Sequence, residues 1–280
     1  ADTSIEATTD FDKVADADYI IICVPTPVDE SKQPDYGPVE GAFKSIAPYL
    51  KKGQTLILES TVNPGVCEEI VIPLIEKVTD LKVGADLHLA HCPERINPGD
   101  TQWHVGNIPR VIGAVDGPSL ERSAVFYEHI IDAPIKRMGS LKEAEAVKIV
   151  ENTFRDINIA YVNELAMSFA MLGIDVVNVI DGAATKPFAF MAHYPGIGVG
   201  GHCIPVDPYY LIEYAKNNGF EHKFLSLARD INSKMPVFTI DLLEQVLEEK
   251  GVKLAGTKVA LLGLSYKANV GDTRESPSYE

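Results

Sequence analysis

Long apolar runs and an amino-terminal targeting signal are both missing from this 280-residue sequence. The apolar stretch at residues 19–24 is far too short to cross a bilayer. The first residues have neither the basic start nor the apolar core of a secretory signal peptide. We therefore expect a cytoplasmic protein with no membrane partner.

Basic residues are scarce, with 25 Lys and Arg against 40 Asp and Glu and a formal net charge of −15. Nucleic-acid phosphates require a basic surface, so this balance argues against a nucleic-acid partner. It does not argue against a small anionic substrate, because a few local Lys and Arg side chains can form a positive pocket.

Cysteine pairs with metal-binding or disulfide spacing are also missing. The four cysteines form no C-x-x-C pair, which argues against a disulfide framework and a structural zinc site. A histidine precedes Cys92 and Cys203, but adjacent side chains rarely point at one ion, so we predict no metal. Cys23 lies in an apolar run, and we interpret it as an inert core residue.

No G-x-G-x-x-G turn precedes the first apolar run, although nucleotide-binding α/β domains normally begin with a strand and such a turn. Even so, the first half alternates short strands with helical segments. Residues 18–24 and 55–58 are typical of strands buried on both faces, and 87–90 and 111–112 repeat the pattern. This alternation predicts a parallel sheet covered by helices.

The second half is predicted to be mainly helical. Ser140 and Glu143 have the spacing of a capping box, which opens a long helix that stops at Gly173. Pro236 is expected to kink or divide a later helix. Residues 256–263 have the composition of a new buried strand that begins a further α/β unit.

The most informative segment is the glycine-rich stretch at residues 196–201, which precedes Cys203. Glycines allow positive φ and the close approach of a ligand, so this cysteine is placed for chemistry on a bound molecule. Asp207 adds a carboxylate four residues later. The alternative is a glycine-rich turn with an incidental buried thiol.

Three polar turns follow the first three predicted strands, where open parallel sheets bind ligands. The first contains Pro25 and Thr26, the second Ser60 and Thr61, and the third Glu94. Glu94 is a candidate base acting through water. Each turn has an alternative interpretation. The first is an ordinary strand exit, the second a helix N-cap by Ser60 or Thr61, and the third a surface pair between Glu94 and the arginine after it.

Lys148 and Asn152 lie four residues apart on the long predicted helix and therefore share one face. A cation beside an amide is suited to stabilising a developing oxyanion. Many helices carry such a pair without function, so the pair gains weight only beside the other motifs.

Together these motifs resemble those of the UDP-glucose/GDP-mannose (nucleotide-sugar) dehydrogenase family, over nearly all of the chain. Gly-Gly-His-Cys-Ile-Pro-Val-Asp at 200–207 resembles its catalytic-cysteine motif, and residues 148–152 match its Lys-x-x-x-Asn. Glu-Ser-Thr at 59–61 and Pro-Glu at 93–94 resemble two further active-site turns. Residues 266–277 resemble the segment that opens its nucleotide-binding third domain.

The resemblance implies oxidation of a sugar C6 alcohol to a carboxylate with reduction of two NAD⁺. The Cys203 thiolate would attack the aldehyde formed by the first hydride transfer. A second hydride transfer would convert the thiohemiacetal into a thioester, which water hydrolyses.

The resemblance also implies roles for other residues. Lys148 and Asn152 would stabilise the substrate oxygen. Asp207 and Thr61 would position and activate water, with Glu94 as a general base or further orienter. The implied cofactor-binding residues are Pro25, Thr26, Ser60, Thr61 and Glu94. The implied substrate-binding residues are Lys148, Asn152, Lys186, Gly200, Lys267 and Arg274.

Within the family, residues 94–100 and 183–188 are most similar to those of enzymes acting on UDP-N-acetylhexosamines. UDP-N-acetylglucosamine is the first expectation and UDP-N-acetylmannosamine the second. Val206 stands where UDP-glucose enzymes commonly carry a Lys, which weakens a plain UDP-glucose assignment. A homodimer is expected through the domain of the long helix.

The implied fold class is α/β, with a Rossmann-like parallel sheet whose amino-terminal part is missing, a central helical domain and the start of a second Rossmann-like domain. The implied domains are the remainder of an NAD-binding domain at 1–138, a dimerisation and catalytic domain at 139–250, and the start of a UDP-sugar-binding domain at 251–280. We expect a fragment of a longer enzyme that binds NAD poorly by itself, because the glycine-rich turn is missing.

Three alternative functions stay open. A single-step 3-hydroxyacid dehydrogenase would use the Lys and Asn of the long helix without a cysteine. A non-catalytic sugar-nucleotide binding protein would need no such set of reactive groups. A cysteine hydrolase is disfavoured, because His202 is adjacent to Cys203 and poorly placed as its base.

Overall fold

Two compact units make up the chain. The computed structural model describes residues 5–29 and 31–280, and the units comprise residues 1–149 and 150–280. Among the described residues, the first unit contains all the strands and the second is helical. The finer division at 1–138, 139–250 and 251–280 stays a prediction.

Five strands of the first unit form one sheet in the order β1-β2-β3-β4-β5. They are β1 (Tyr19–Ile22), β2 (Thr55–Leu58), β3 (His88–His91), β4 (Arg110–Ala114) and β5 (Ile135–Arg137). The predicted parallel pairing is confirmed for β1, β2 and β3, and β4 is parallel to β5. The junction of β3 with β4 is antiparallel, because residues 92–109 contain no crossover helix.

Helices cover both faces of the sheet. They are α1 (Gly37–Ile46), α2 (Ile72–Val78), which continues a π-helical turn at Cys67–Val71, and α3 (Gly117–Ile130). Successive side chains of β2 point to opposite faces. Leu56 and Leu58 therefore pack in one core with Phe43 of α1, and Ile57 packs in another with Tyr127 of α3.

A long helix, α4 (Leu141–Leu172), begins at the predicted capping box. The hydroxyl of Ser140 accepts a hydrogen bond from the amide of Glu143 (3.2 Å), and the Glu143 carboxylate accepts one from the amide of Gly139 (2.7 Å). Gly173, directly after the helix, has a φ of 66°, which glycine adopts without strain. The predicted bounds of this helix are confirmed.

Three further helices follow: α5 (Val176–Ala184), α6 (Asp207–Asn217) and α7 (Lys223–Glu249). Pro236 lies inside α7 and does not divide it. Among the described residues, none of the helices combines the length and the apolar character that crossing a membrane requires.

The strand predicted at residues 256–263 is not formed. Leu261 and Leu262 are 63% and 91% exposed, and residues 150–280 contain no other strand that could pair with them. A strand is stable only with hydrogen-bonded neighbours. Apolar composition alone is therefore insufficient to form this element.

Gly113 on β4 allows the start of α4 to approach the sheet. A Cβ atom at this position would lie 2.1 Å from the carbonyl oxygen of Ser140 and 2.9 Å from the Cβ of Ala144. We expect Gly113→Ala to lower the free energy of unfolding by about 3 kcal/mol, because backbone atoms must move. Urea unfolding of the purified variant measures this loss.

Gly41→Ala in α1 is the matched control, since its added Cβ would meet no atom within 4 Å. It should stabilise the protein by about 0.5–1 kcal/mol, because Ala favours a helix over Gly. Equal effects of the two substitutions would contradict the packing argument.

Candidate active site

The polar turns after β1, β2 and β3 lie side by side at one edge of the sheet. The Ser60 hydroxyl accepts a hydrogen bond from the amide of Val24 (2.9 Å) and donates one to its carbonyl oxygen (2.7 Å). The amide of Glu94 donates to the carbonyl oxygen of Glu59 (3.3 Å). These bonds join the three turns at the carboxyl edge of parallel strands, where open α/β sheets bind ligands.

The predicted cofactor-side residues differ in accessibility. Pro25 is exposed, Thr61 and Glu94 are half-buried, and Thr26 and Ser60 are buried. Because the Ser60 hydroxyl bonds to the backbone of the first turn, it shapes that turn. The exposed and half-buried members leave surface for a ligand at this edge, so these residues can contact part of a bound dinucleotide.

The Glu94 carboxylate is held from two sides. One oxygen accepts the amides of Arg95 and Ile96, both at 2.7 Å. The other accepts Nη2 of Arg110, also at 2.7 Å. Arg110, at the start of β4, is only 2% exposed. Sequence reasoning missed this residue, although a charge at the start of a predicted buried strand was the available signal.

A second carboxylate, that of Glu59, follows β2. The Tyr127 hydroxyl donates to one oxygen (2.5 Å), and the Cys23 thiol donates to the other (3.4 Å). Burial, with the neighbouring Cys92 and Glu59, raises the pKa of Tyr127, which keeps it a donor. Cys23 is exposed, so its interpretation as a core residue is wrong. The reason is that β1 ends at Ile22 and Cys23 already belongs to the turn.

Cys67, His91 and Glu145 form a buried group whose potential ligand atoms lie within 4.8 Å of one another. The Glu145 oxygens accept the amides of Gly65 (2.6 Å) and Cys67 (2.8 Å), and burial nevertheless raises the pKa of this carboxyl. Burial lowers the pKa of His91 to about 3. We interpret the group as support for the turn that contains Thr61, because Glu145 fixes the end of that turn.

Asn152 and Asp207 are in direct contact within the second unit. Asn152 Nδ2 donates to Asp207 Oδ2 at 2.5 Å, and the residues are 5% and 4% exposed. Lys148, one helical turn before Asn152, is also buried, and no described residue forms an ion pair with its ammonium group. A buried cation without a counter-charge favours an anionic oxygen beside it.

Cys203 lies one helical turn before Asp207. Its carbonyl oxygen accepts the amides of Val206 (3.1 Å) and Asp207 (2.9 Å), at the point where α6 begins. Cys203 is exposed. The alternative interpretation expected a buried thiol, and that part of it is wrong. The second unit places Cys203 next to the start of α6, where Asp207 contacts Asn152.

A buried ion pair holds the loop that contains Cys203. Asp156 on α4 and Arg229 on α7 are 1% and 6% exposed. Nε and Nη2 of Arg229 contact the two oxygens of Asp156 at 2.8 and 2.6 Å. Nη1 of Arg229 donates to the carbonyl oxygen of Pro205 (3.1 Å). The pair therefore anchors the chain two residues after Cys203.

Two asparagines extend the pair to the other end of the loop. Asn232 Nδ2 donates to Asp156 Oδ1 (2.8 Å), and Asn163 Nδ2 donates to Asn232 Oδ1 (2.8 Å). Asn163 Oδ1 accepts the amide of Gly196 (3.0 Å). Sequence reasoning missed this network. The signal was a polar stripe on α4, at residues 148, 152, 156 and 163.

The carboxyl-terminal segment packs on the glycine-rich loop. Gly201 has a φ of 87°, and its amide donates to the carbonyl oxygen of Arg274 (2.9 Å). A Cβ atom on Gly200 would lie 2.6 Å from the Cβ of Tyr266. Two predicted substrate-side residues, Gly200 and Arg274, are thus brought into one region.

The other predicted substrate-side cations are placed differently. Lys267 is half-buried close to this region in sequence, whereas Lys186 is exposed with its ammonium 4.8 Å from the ring centroid of Phe188. The guanidinium of Arg274 pairs with Asp272 at 2.6 Å.

Two family models match the chain. Residues 1–131 match the NAD binding domain of the UDP-glucose/GDP-mannose dehydrogenase family, and residues 142–234 match its central domain. The first match confirms the prediction that the cofactor is NAD.

Several known proteins are similar to the chain. UDP-N-acetyl-D-glucosamine 6-dehydrogenase of Pseudomonas aeruginosa is 41% identical over 256 residues, which cover 91% of this chain and 60% of that protein. UDP-N-acetyl-D-mannosamine dehydrogenase of Methanocaldococcus jannaschii is 40% identical over 94% of this chain and 58% of that protein. The chain thus spans about three fifths of the length of these relatives.

A solved structure agrees in fold. That of UDP-D-ManNAc dehydrogenase from Pyrococcus horikoshii has a TM-score of 0.90 and 37% identity, and covers 97% of this chain and 63% of its own.

The Asp156–Arg229 pair is expected to dominate the stability of the second unit. Asp156→Ala should lower its free energy of unfolding by about 3–5 kcal/mol, because a buried guanidinium loses its counter-charge. Lys216→Ala, which breaks a 3.9 Å pair between the exposed Lys216 and the half-buried Glu213, should cost less than about 1 kcal/mol. Urea unfolding measures both, and similar losses would contradict this assignment.

His91 is expected to make the first unit sensitive to acid. The unfolded chain protonates this imidazole near pH 6.5, whereas the folded chain, with its pKa of about 3, does not. Stability therefore falls as the pH drops below 6.5, by about 2 kcal/mol at pH 5. His91→Phe should flatten this slope in urea unfolding, whereas Ile112→Val should lower stability equally at every pH. An unchanged slope in His91→Phe would refute the assignment.

Proposed function

Because the chain belongs to the UDP-glucose/GDP-mannose dehydrogenase family, we propose that the complete protein oxidises the C6 alcohol of a UDP-N-acetylhexosamine to the carboxylate. The observation that carries this proposal is the exposed Cys203 thiol, one helical turn from the hydrogen-bonded pair of Asp207 and Asn152. Binding alone would not require a thiol, a carboxylate and an amide held together.

The carboxyl edge of the sheet is the proposed cofactor side. When bound, NAD⁺ accepts the hydride in each of two oxidation steps. The residues proposed to hold it are Pro25, Thr26, Ser60, Thr61 and Glu94, with Ser60 acting through the turn that it shapes.

Cys203 is the proposed nucleophile. Its thiolate adds to C6 of the sugar aldehyde, which forms a carbon–sulfur bond and places negative charge on the C6 oxygen. Loss of the remaining C6 hydride leaves a thioester. Water then adds to the thioester carbonyl, the carbon–sulfur bond breaks, and the carboxylate leaves while the thiolate is restored.

The neighbouring residues stabilise charge and activate water. Lys148 is buried without an ion-pair partner among the described residues, which supports a role beside the negative C6 oxygen. Asn152 adds an amide on the same helix face. Asp207 and Thr61 position the hydrolytic water, and Glu94 accepts its proton or orients it.

The proposed substrate is UDP-N-acetylglucosamine, with UDP-N-acetylmannosamine second. The names of the bacterial and archaeal relatives support an N-acetylhexosamine, and the Pseudomonas relative supports the gluco isomer. Lys186, Lys267 and Arg274 supply cations suited to the diphosphate, and Gly200 allows its close approach. Such a product fits a role in polysaccharide biosynthesis in the cytoplasm.

A homodimer through the second unit is part of the proposal. Side chains of α4 and α7 line an open groove of about 280 Å³, and its walls include Tyr161, Phe224 and Leu227, which are 54%, 66% and 53% exposed. Apolar surface of this kind supports contact with a second copy of the chain.

The thioester scheme predicts the behaviour of Cys203→Ser in the complete protein. Formation of the uronic acid from UDP-N-acetylglucosamine should fall at least about 1000-fold, because the nucleophile is lost. Ser45→Ala, the control, removes a hydroxyl on α1 that bonds to the carbonyl oxygen of Gly41 (2.9 Å), and it should retain the wild-type rate. Product analysis by mass spectrometry, together with NADH formation for a panel of UDP-sugars, measures the rates and the substrate preference.

Uronic acid formation at the wild-type rate by Cys203→Ser would refute the scheme and favour single-step oxidation. A covalent sugar adduct trapped on Cys203 of the wild-type enzyme is the expected positive result. The absence of NADH formation with every UDP-sugar would instead refute the dehydrogenase assignment itself.

A further inference from the structure

Arg110 is a charged side chain buried behind the strand-end turns of the first unit. It is 2% exposed, and its backbone amide donates to the carbonyl oxygen of Pro134 (3.1 Å), which fixes its position at the start of β4. Its guanidinium carbon lies 5.9 Å from the ring centroid of Tyr127. The cation is therefore held on a rigid strand against an aromatic face.

The Arg110 guanidinium donates a hydrogen bond to one residue, Glu94. Nη2 donates to Glu94 Oε2 at 2.7 Å, whereas Nε and Nη1 have no hydrogen-bond partner among the described residues. Burying a cation costs free energy unless it is paired. Since Glu94 is the ion-pair partner in the described part of the chain, removal of Arg110 acts first on that carboxylate.

The two oxygens of Glu94 are held by different parts of the structure. Oε1 accepts amides from its own turn, so this contact moves whenever the turn moves. Oε2 accepts Arg110, which belongs to the sheet. Only the second contact fixes the carboxylate plane relative to the strands. The aromatic support is fixed in turn, because the Tyr127 hydroxyl donates to Glu59.

We propose that Arg110 is a positioning residue that orients the Glu94 carboxylate for its part in hydrolysis of the sulfur-bound intermediate. This inference rests on the proposed function. Arg110 touches neither cofactor nor substrate in this scheme. It holds the Glu94 carboxylate in one orientation through Oε2, so that the lone pairs left free by these contacts can bind water.

The first test compares Arg110→Met and Arg110→Lys in the complete protein. Arg110→Met should lower kcat by about 10–100-fold with KM changed less than about 3-fold, as expected when orientation of a catalytic group is lost. Arg110→Lys keeps a point charge and should lose less. Guanidinium chloride at non-denaturing concentrations should partly restore Arg110→Ala, whereas equal sodium chloride should not.

Arg122→Met is the matched control. Arg122 also packs on an aromatic ring, with its guanidinium carbon 5.2 Å from the centroid of Tyr19, and also makes a 2.7 Å hydrogen bond, to the hydroxyl of Thr55. Thr55 lies at the opposite end of β2 from the polar turns. Arg122→Met should keep kcat within about 2-fold of wild type even if it lowers the thermal unfolding temperature.

A double-mutant cycle separates positioning from simple stabilisation. If Arg110 acts through Glu94, the kcat of Arg110→Met combined with Glu94→Gln should equal that of Glu94→Gln alone. The thioester adduct on Cys203 should accumulate in Arg110→Met during turnover, because only its hydrolysis is slowed. Additive losses, absence of guanidinium rescue, or an equal fall in kcat for Arg122→Met would each overturn the proposal.

The wild-type enzyme distinguishes this inference from the proposed function. If wild type forms the uronic acid and the Cys203 adduct but Arg110→Met retains full kcat, the positioning role alone is refuted. If wild type forms neither, the proposed function itself is refuted, and the positioning role that rests on it is refuted with it.

Discussion

The ion pair between Asp156 and Arg229 is the contact on which the arrangement of the second unit depends. It joins α4 to α7, and its remaining donor reaches the backbone two residues after Cys203. A buried pair of charges is stable only when every donor and acceptor is satisfied. The same network that satisfies these charges also fixes both ends of the glycine-rich loop, so the position of the thiol follows from the packing of two helices.

In the first unit, a sheet holds the proposed site residues in place. Three parallel strands end together, and hydrogen bonds between successive turns keep their polar residues at one edge. Glu145, from the first turns of α4, fixes the turn after β2 by accepting two amides. In both units some of the proposed site residues, such as Glu94 and Cys203, lie on irregular backbone, and groups on regular elements hold that backbone in place.

Local patterns predicted the elements whose stability is local or fully buried. The first four strands followed from apolar runs, and α4 followed from Ser140 and Glu143 at its start and Gly173 after its end. The antiparallel junction of β3 and β4 was missed, because pairing direction depends on the path of a long connection. The strand at 256–263 was overpredicted, because its composition says nothing about the partners that a strand requires.

Among the candidate site residues, Cys203 and Asp207 stood out because glycine and proline surround them. Arg110 and Arg229 did not, since a buried cation is recognisable only when its partner from a distant segment is known.

The polar stripe on α4 requires its residues to keep their spacing, because they must lie on one face of the helix. A single residue inserted between Asn152 and Asp156 would rotate the Asp156 side chain about the helix axis by about 100° relative to Asn152. The spacing along this part of the helix is consequently less free to vary during evolution than the identity of its outward-facing residues.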